Sequence, residues 1–215
     1  MSDMGLILEI IPVGPLSVNC SILADSSTGK AVVVDPGADG ERIIEACSEY
    51  EVIGIVNTHG HIDHVGHVAK VRDRFGVPFY LHPEDEYLIS DEIWEGFGSY
   101  IGAVPCPPPD IHLEDGMKLE VGNLTVRVIH TPGHTPGLCC LYIEEEGVLI
   151  AGDLLFKGSV GRWDLPGGDP KKLRDSLEKV FSMMPDDTLV VCGHYDETTI
   201  GHERKFNPYL HGGIP

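Results

Sequence analysis

The sequence predicts a single α/β domain, residues 1–215, in which the sheets are mixed. Short β-branched runs alternate with amphipathic stretches, which is the pattern of an α/β protein. Some runs lead into helices and others into tight turns, so we expect both parallel and antiparallel strand pairs. At about 150 residues per domain, the length favours one domain over two.

Nine short runs rich in β-branched residues predict the strands. Residues 30–37 and 52–59 are almost continuously apolar, which is typical of strands covered on both faces. Gly14 and Pro15 separate the first two runs, so we expect those two to form an antiparallel pair. The predicted strands are residues 6–13, 19–25, 30–37, 52–59, 78–82, 124–130, 138–144, 147–153 and 188–194.

Apolar residues recur at helical spacing in three stretches, which predicts helices over residues 40–50, 63–76 and 169–184. The last of these has Asp169 in the N-cap position and Pro170 in the first turn, a favourable start for a helix. Residues 83–110 are expected to begin as a helix and to pass into a proline-rich loop at 104–110, which has no assigned role.

The composition excludes several classes of protein. Fifteen basic and 34 acidic residues leave a net charge of −19, which repels nucleic acid and anionic lipid. No apolar run approaches the roughly 18 residues of a membrane span, and the acidic start differs from a signal peptide. We therefore expect a cytoplasmic protein that binds neither nucleic acid nor membrane. Cys47, Cys139, Cys140 and Cys192 lie among apolar residues and predict buried free thiols.

Histidine and aspartate follow four of the predicted strands. One histidine at a strand end is commonly a packing residue, but four such ends predict a shared site, because open α/β sheets gather functional groups at the carboxyl edge. The seven candidate metal ligands are His59, His61, Asp63, His64, His134, Asp153 and His194.

The spacing of the first cluster predicts two metal ions. His59 and His61 are two residues apart, so in an extended chain their side chains point the same way and can share one ion. Asp63 and His64 come where a helix begins and face another side, which suits a second ion. An aspartate can bridge two cations through its two oxygens. Zinc is the expected metal for imidazole and carboxylate ligands, and iron or manganese accepts the same set.

Several motifs resemble those of a known family. HGHIDH (59–64), TPGHTPG (131–137), GD (152–153) and GH (193–194) resemble the metallo-β-lactamase superfamily. GSVGRWDLPGGD (158–169) and TTIGHERKFNPYL (198–210) are similar to its glyoxalase II branch, in particular the short bacterial hydroxyacylglutathione hydrolase-like proteins. The resemblance extends over about residues 6–211. It implies an αββα four-layer sandwich, here without the helical C-terminal extension of full-length glyoxalase II.

The resemblance also implies the roles of the candidate ligands. Metal one would be held by His59, His61 and His134. Metal two would be held by Asp63, His64 and His194, and Asp153 would bridge the two.

The activity implied is hydrolysis of a small-molecule thioester such as S-lactoylglutathione. The nucleophile would be a metal-bridging hydroxide, and Asp63 would steer its proton. Candidate substrate contacts are Arg162, Tyr195, His202 and Arg204; Trp94, Phe97 and Tyr100 are candidates for the mouth of the site. The family's usual tyrosine, two residues after the last ligand, is replaced by Asp196, which predicts a weak grip on glutathione.

Two other functions remain open at this point. A mononuclear iron persulfide dioxygenase of the same superfamily would use His59, His134 and Asp153. A non-enzymatic metal-binding protein is the third possibility, and the oligomeric state is not predicted. We expect the remaining candidates among the histidines to be surface or packing residues; they are His67, His82, His112, His130 and His211.

Overall fold

Two six-stranded sheets form the centre of the protein in the computed structural model, which describes residues 5–90, 98 and 102–214. Trp94, Phe97 and Tyr100 lie outside the described residues. The first sheet contains, in spatial order, β1 (Leu6–Val13), β2 (Val18–Asp25), β3 (Lys30–Val34), β4 (Glu51–Val56), β5 (Phe79–Leu81) and β6 (Ile111–His112). The first three strands are antiparallel, and β3 to β6 are parallel.

The second sheet has the spatial order β14-β13-β10-β9-β8-β7. Its strands are β7 (Lys118–Val121), β8 (Leu124–His130), β9 (Cys139–Ile143), β10 (Val148–Gly152), β13 (Leu189–Cys192) and β14 (Thr198–Thr199). Strands β10 and β13 are parallel, and the other pairs are antiparallel. A small separate hairpin consists of β11 (Leu155–Phe156) and β12 (Ser159–Val160).

The α-helices whose bounds are described are α1 (Gly40–Ala46), α2 (Ile62–Val65), α3 (Val68–Phe75), α4 (Pro170–Met183) and α5 (Ile200–Phe206). Helix α4 begins as expected, since the Asp169 side chain accepts hydrogen bonds from the backbone N–H groups of Lys171 and Lys172. Residues 83–89 form a 3-10 helix instead of an α-helix.

The single helix expected over 63–76 is instead two helices, α2 and α3. A Cβ atom on Gly66 would lie 2.4 Å from the carbonyl oxygen of Gly37, so the chain passes very close to a neighbouring loop there. His67 then accepts a hydrogen bond from the backbone N–H of Gly40 at 2.8 Å. These contacts hold the chain out of helical register between α2 and α3.

Three apolar layers confirm the expected αββα sandwich with mixed sheets. One layer lies between the first sheet and the helices α1 and α3, and includes Ile43 and Val71. A second lies between the second sheet and α4, and includes Leu173 and Leu177. The third lies between the two sheets and includes Leu141. All six cysteines are buried free thiols, and no helix among the described residues is long and apolar enough to cross a bilayer.

Candidate metal centre

The carboxyl ends of β4, β8, β10 and β13 meet at one edge of the two sheets. The seven candidate ligands follow these ends and lie together at or beside a cavity of about 670 Å3. The described residues that line the cavity are Leu16, His61, Ile62, Asp63, Leu88, His134, Asp153, Phe156, Ser159, Val160, Arg162, Leu165, His194 and Tyr195. Apolar side chains therefore surround a polar floor.

Three histidines converge on one point and are called here the first ligand group: His59, His61 and His134. The Nδ1 atom of His61 lies 3.1 Å from Nε2 of His59 and 2.9 Å from Nε2 of His134. A tetrahedral zinc ion lies about 2.0–2.1 Å from each of its nitrogen ligands. Two such nitrogens are therefore about 3.3 Å apart. This group thus has nearly the geometry of a three-histidine metal site.

A second ligand group consists of Asp63, His64 and His194. Nε2 of His64 lies 3.3 Å from Nε2 of His194, and the latter lies 3.5 Å from Oδ2 of Asp63. Asp63 and His64 enter this group because α2 begins at Ile62 and turns them away from the extended segment that carries His59 and His61.

Asp153 lies between the two groups. Its Oδ2 atom is 3.4 Å from Nε2 of His134, and its Oδ1 atom is 3.4 Å from Nε2 of His64. The Oδ1 atom is buried and accepts no hydrogen bond. A buried carboxylate oxygen without a donor is costly unless a cation satisfies it, so this atom fits a metal ligand.

In four of the five histidines, a hydrogen bond from Nδ1 determines which ring nitrogen carries the proton. His134 donates to the backbone carbonyl of Arg162 at 2.7 Å, and His194 donates to that of Leu16 at 2.9 Å. In the neutral ring this leaves the lone pair on Nε2, which faces the ligand groups. His61 is the exception, because it presents Nδ1 itself.

Asp35, which follows β3, orients the rings of the other two histidines, His64 directly and His59 through Thr58. Its buried Oδ2 accepts from Nδ1 of His64 at 3.0 Å and from the Thr58 hydroxyl at 2.6 Å. That hydroxyl in turn lies 3.0 Å from Nδ1 of His59 and accepts its proton. Oδ1 accepts from the backbone N–H of Thr58 and from the Asn57 amide. One carboxylate therefore orients a histidine in each ligand group.

The two groups differ in charge before any ion binds. Burial, reinforced by the neighbouring imidazoles, lowers the pKa of His59 well below its usual value and that of His61 to about 3. Burial also acts to lower the pKa of His64, but the carboxylates of Asp153 and Asp35 outweigh it and raise that pKa to about 10. His59 and His61 therefore present free lone pairs, whereas a cation must displace a proton from His64.

Two of the expected substrate contacts lie at the cavity. The Arg162 side chain is at the rim and forms a bidentate ion pair with Asp164. The Nε–Oδ1 distance is 2.7 Å and the Nη2–Oδ2 distance is 2.9 Å. Tyr195 is 76% exposed at the mouth and has the left-handed φ of 65°. Its conformation is held by Asn19, whose amide donates to the Tyr195 carbonyl at 2.9 Å.

The other two expected contacts, His202 and Arg204, do not line this cavity. Arg204 donates to the Asp186 carboxylate at 2.8 Å and to the carbonyls of Phe181 and Met184 at the end of α4. His202 stands on α5, with its ring 5.0 Å from that of Phe206. Helix α5 directs these side chains away from the edge where the ligands meet, so their contact with substrate stays a prediction without support from the lining of this cavity.

The remaining histidines make contacts of their own. The rings of His82 and His130 stack with centroids 4.1 Å apart, close to Glu84, and together these three form another group of possible ligands. One nitrogen of each ring is already hydrogen-bonded: Nδ1 of His82 accepts from the backbone N–H of Glu84, and Nε2 of His130 donates to the carbonyl of Pro136 at 2.8 Å. These commitments are typical of packing residues.

The sequence pattern missed the residues that support the ligands. Asp35 ends an apolar strand in the same way as Asp153, so the strand-end pattern contained a signal for it. Thr58 stands beside His59 but carries no pattern. Asp85, a fully buried carboxylate behind the ligand loops, lies in a polar stretch that gave no signal.

Comparison with known proteins supports the resemblance. The family model of the metallo-beta-lactamase superfamily matches residues 13–194. An uncharacterized protein of Aquifex aeolicus is 61% identical, over 95% of this chain and 97% of its own length. The hydroxyacylglutathione hydrolase GloC of Haemophilus influenzae is 34% identical, over 94% of this chain and 97% of its own.

Three solved structures share the fold. BLEG-1 B3 metallo-beta-lactamase has a TM-score of 0.87 and 38% identity, over 96% of this chain and 100% of its own. TTHA1623 in a di-iron-bound form has a TM-score of 0.85 and 37% identity, over 94% and 100%. ETHE1 from Myxococcus xanthus has a TM-score of 0.79 and 26% identity, over 96% and 85%. The chain belongs to the metallo-beta-lactamase superfamily.

Proposed function

We propose that the protein is a metal-dependent hydrolase of small thioesters, with glutathione thioesters such as S-lactoylglutathione as the first candidates. The observation that carries the proposal is the position of Asp153, whose carboxylate lies within 3.4 Å of His134 in the first ligand group and of His64 in the second, beside an open cavity. The similarity to the relative named hydroxyacylglutathione hydrolase supports the choice of substrate.

Two divalent ions, zinc first among them, are the proposed cofactors. The first ligand group would hold one ion, the second group the other, and Asp153 would touch both. Such ions supply a hydroxide nucleophile at neutral pH and polarise the carbonyl under attack. With hydroxide as the nucleophile, the reaction requires no serine or cysteine nucleophile. The six cysteine thiols are buried, which agrees with this.

The side chains of this site have separate tasks. Asp153 and the hydrogen-bonded histidines hold their lone pairs toward the centre. Asp63 is the carboxylate at the cavity wall, 17% exposed, and it would orient the proton of the nucleophile. Leu16, Ile62 and Phe156 line the cavity, and with a substrate bound they would shield the reacting carbonyl from water and strengthen electrostatic interactions there.

The cavity favours a leaving group that needs no proton donor. Among its described lining residues, every histidine and every carboxylic acid belongs to the ligand groups or is Asp153. A thiolate leaves readily because the pKa of a thiol is about 8.5, whereas an amine must be protonated as it leaves. This favours thioesters over amides and β-lactams.

Arg162 is the cation we propose for the glutathione carboxylate. Its ion pair with Asp164 is exposed, and water and salt screen such pairs, so an anionic substrate can compete with Asp164 for the guanidinium. Arg162→Ala should raise KM several-fold with kcat and metal content unchanged. Asp164→Asn is the matched control: it frees the same guanidinium, and KM should fall or stay constant. A KM unaffected by Arg162→Ala would remove this contact.

A second candidate is an iron-dependent oxygenase that acts on glutathione persulfide. It would use His59, His134 and Asp153, which converge in the structure. The similarity to a protein crystallised in a di-iron-bound form favours iron as an alternative metal.

One panel separates these functions. The same preparation, loaded with zinc and separately with iron, is assayed with S-lactoylglutathione, a thioester without glutathione, a β-lactam and glutathione persulfide. We expect thioester cleavage and little β-lactam turnover. Oxygen uptake on the persulfide without thioester cleavage would favour the oxygenase, and binding of metal without any turnover would favour a metal-binding protein.

A further inference from the structure

Asp85 is a buried carboxylate that lies behind the cavity and contacts both loops of the first ligand group. It stands on the 3-10 helix Pro83–Ile89 and is 0% exposed. It does not line the cavity, so it is not positioned to touch a substrate. The mechanism proposed above makes no use of it.

Three hydrogen bonds from two distant loops end on this carboxylate. Oδ2 accepts from the backbone N–H of Gly60 at 2.9 Å and from the Thr135 hydroxyl at 2.7 Å. Oδ1 accepts from the backbone N–H of Gly137 at 2.6 Å. Gly60 lies between His59 and His61.

Thr135 directly follows His134, so Asp85 ties together the two loops that carry all three members of the first ligand group. None of the three hydrogen bonds comes from Asp63, His64 or His194 or from a residue next to them in the chain.

The two loops also pack closely against Asp85. A Cβ atom on Gly60 would lie 2.8 Å from the Asp85 carbonyl oxygen, and one on Gly137 would lie 2.7 Å from Asp85 Cγ. Only glycine allows both loops to approach so closely. The carboxylate therefore sets the separation of the loops, and with it the separation of the imidazoles they carry.

We propose that Asp85 is a positioning residue for the first metal ion: it holds the two loops so that His59, His61 and His134 meet at one point. The proposal rests on the proposed assignment of these histidines to a single ion. A carboxylate is required because it offers only acceptors to three donors. An asparagine places its NH2 group against at least one of the two backbone N–H groups, whichever way the amide is turned.

The test isolates each ion with a background variant. His194→Ala weakens the second ligand group and keeps the first, whereas His61→Ala does the reverse. Zinc affinity is measured by competition with a chromophoric chelator. Adding Asp85→Asn to His194→Ala should lower zinc affinity by about 10–100-fold, as for loss of other residues that orient metal ligands. Adding it to His61→Ala should change affinity less than threefold.

Asp25 provides the matched control. It is a buried carboxylate that accepts from the backbone N–H groups of Ser27 and Asn123, and it ties two turns together. It lies seven residues along β2 from Val18, which pairs with His194, so it is about 23 Å from the site. Asp25→Asn should lower the free energy of unfolding without changing zinc affinity in either background.

The outcomes are distinct. Equal losses of affinity in both backgrounds, or no loss with His194→Ala, would overturn the role of Asp85. If Asp85→Asn does not fold, Thr135→Val removes a single hydrogen bond and should produce a smaller loss confined to the His194→Ala background; its absence would overturn the proposal as well. Failure of the ligand assignment appears separately, as a His194→Ala parent that binds no zinc.

Discussion

The Asp35→Asn variant should separate orientation of the metal ligands from the stability of the fold. Asp35 accepts from two donors at Oδ1, the Thr58 backbone N–H at 2.7 Å and the Asn57 amide at 3.1 Å. The asparagine oxygen is therefore expected at the Oδ1 position, which leaves its NH2 group at the position of Oδ2. That group then faces Nδ1 of His64 and the Thr58 hydroxyl.

The exchange of an acceptor for a donor reverses the two imidazoles. Nδ1 of His64 must accept instead of donate, so its proton moves to Nε2, the atom that faces the second ligand group. The Thr58 hydroxyl accepts from the new amide and turns its own proton toward His59, with the same consequence in the first group. Both groups lose a lone pair.

The magnitude follows from the number of histidines affected. Loss of one orienting partner lowers metal affinity by about 10–100-fold, and each ligand group loses one. The affinity for each ion should therefore fall at least about tenfold, and the product of the two binding constants by roughly 100-fold, or about 2.7 kcal/mol at 1.36 kcal/mol per tenfold change. Thr58→Val removes the acceptor for His59 and the hydroxyl donor to Asp35, and it leaves the hydrogen bond between Asp35 and His64 in place. It should cost about tenfold, in the first ligand group alone.

The assay is zinc competition at a temperature where urea unfolding shows each apo variant fully folded, so that global stability does not enter. Asp35→Asn with two zinc ions bound at the affinity of the unaltered protein would refute the reasoning. Equal losses in Asp35→Asn and Thr58→Val would show that the bond to His64 has no influence.

Four further predictions concern metal content, protons, acid stability and packing. His61→Ala should lose about one metal per chain together with activity, measured by elemental analysis; full occupancy would remove His61 from the ligands. The pKa of His64, about 10 before metal binds, keeps it protonated at pH 8, so binding of zinc should release about one proton from it, seen as buffer-dependent calorimetric heats. Burial lowers the pKa of His82 from 6.5 to about 4, so the stability it contributes is present above pH 6.5 and is lost as pH falls toward 4. The free energy of unfolding should drop by about 2 kcal/mol more from pH 7 to pH 5 than in His82→Asn, and identical slopes would contradict this. In Gly193→Ala the new Cβ would lie 2.1 Å from Oδ1 of Asp153, so the carboxylate must move and metal content should fall. The metal content of the unaltered protein in this variant would show instead that the loop around residue 193 moves and leaves Asp153 in place.

The predicted substrate contacts show that a sequence motif alone does not determine where its side chains point in the fold. The stretch around His202 and Arg204 follows the last ligand closely in the chain, and this proximity made a contact with substrate plausible. The helix α5 directs both side chains elsewhere, and Arg204 instead bonds the carbonyls that end α4. The direction of a helix depends on its packing partner, which the local sequence does not contain.

The sequence by itself determined nine of the strands, the start of helix α4 and the seven side chains that gather at the candidate metal centre. It did so because apolar periodicity is local, and because strands of one sheet direct their carboxyl ends to a common edge. Only the tertiary structure decided which nitrogen each histidine presents and which carboxylates hold the ligand loops. Asp35 meets His64 from 29 residues away, and Asp85 meets Gly137 from 52 residues away. Hydrogen bonds between such distant segments exist only after the sheets have packed, so no pattern along the chain records them.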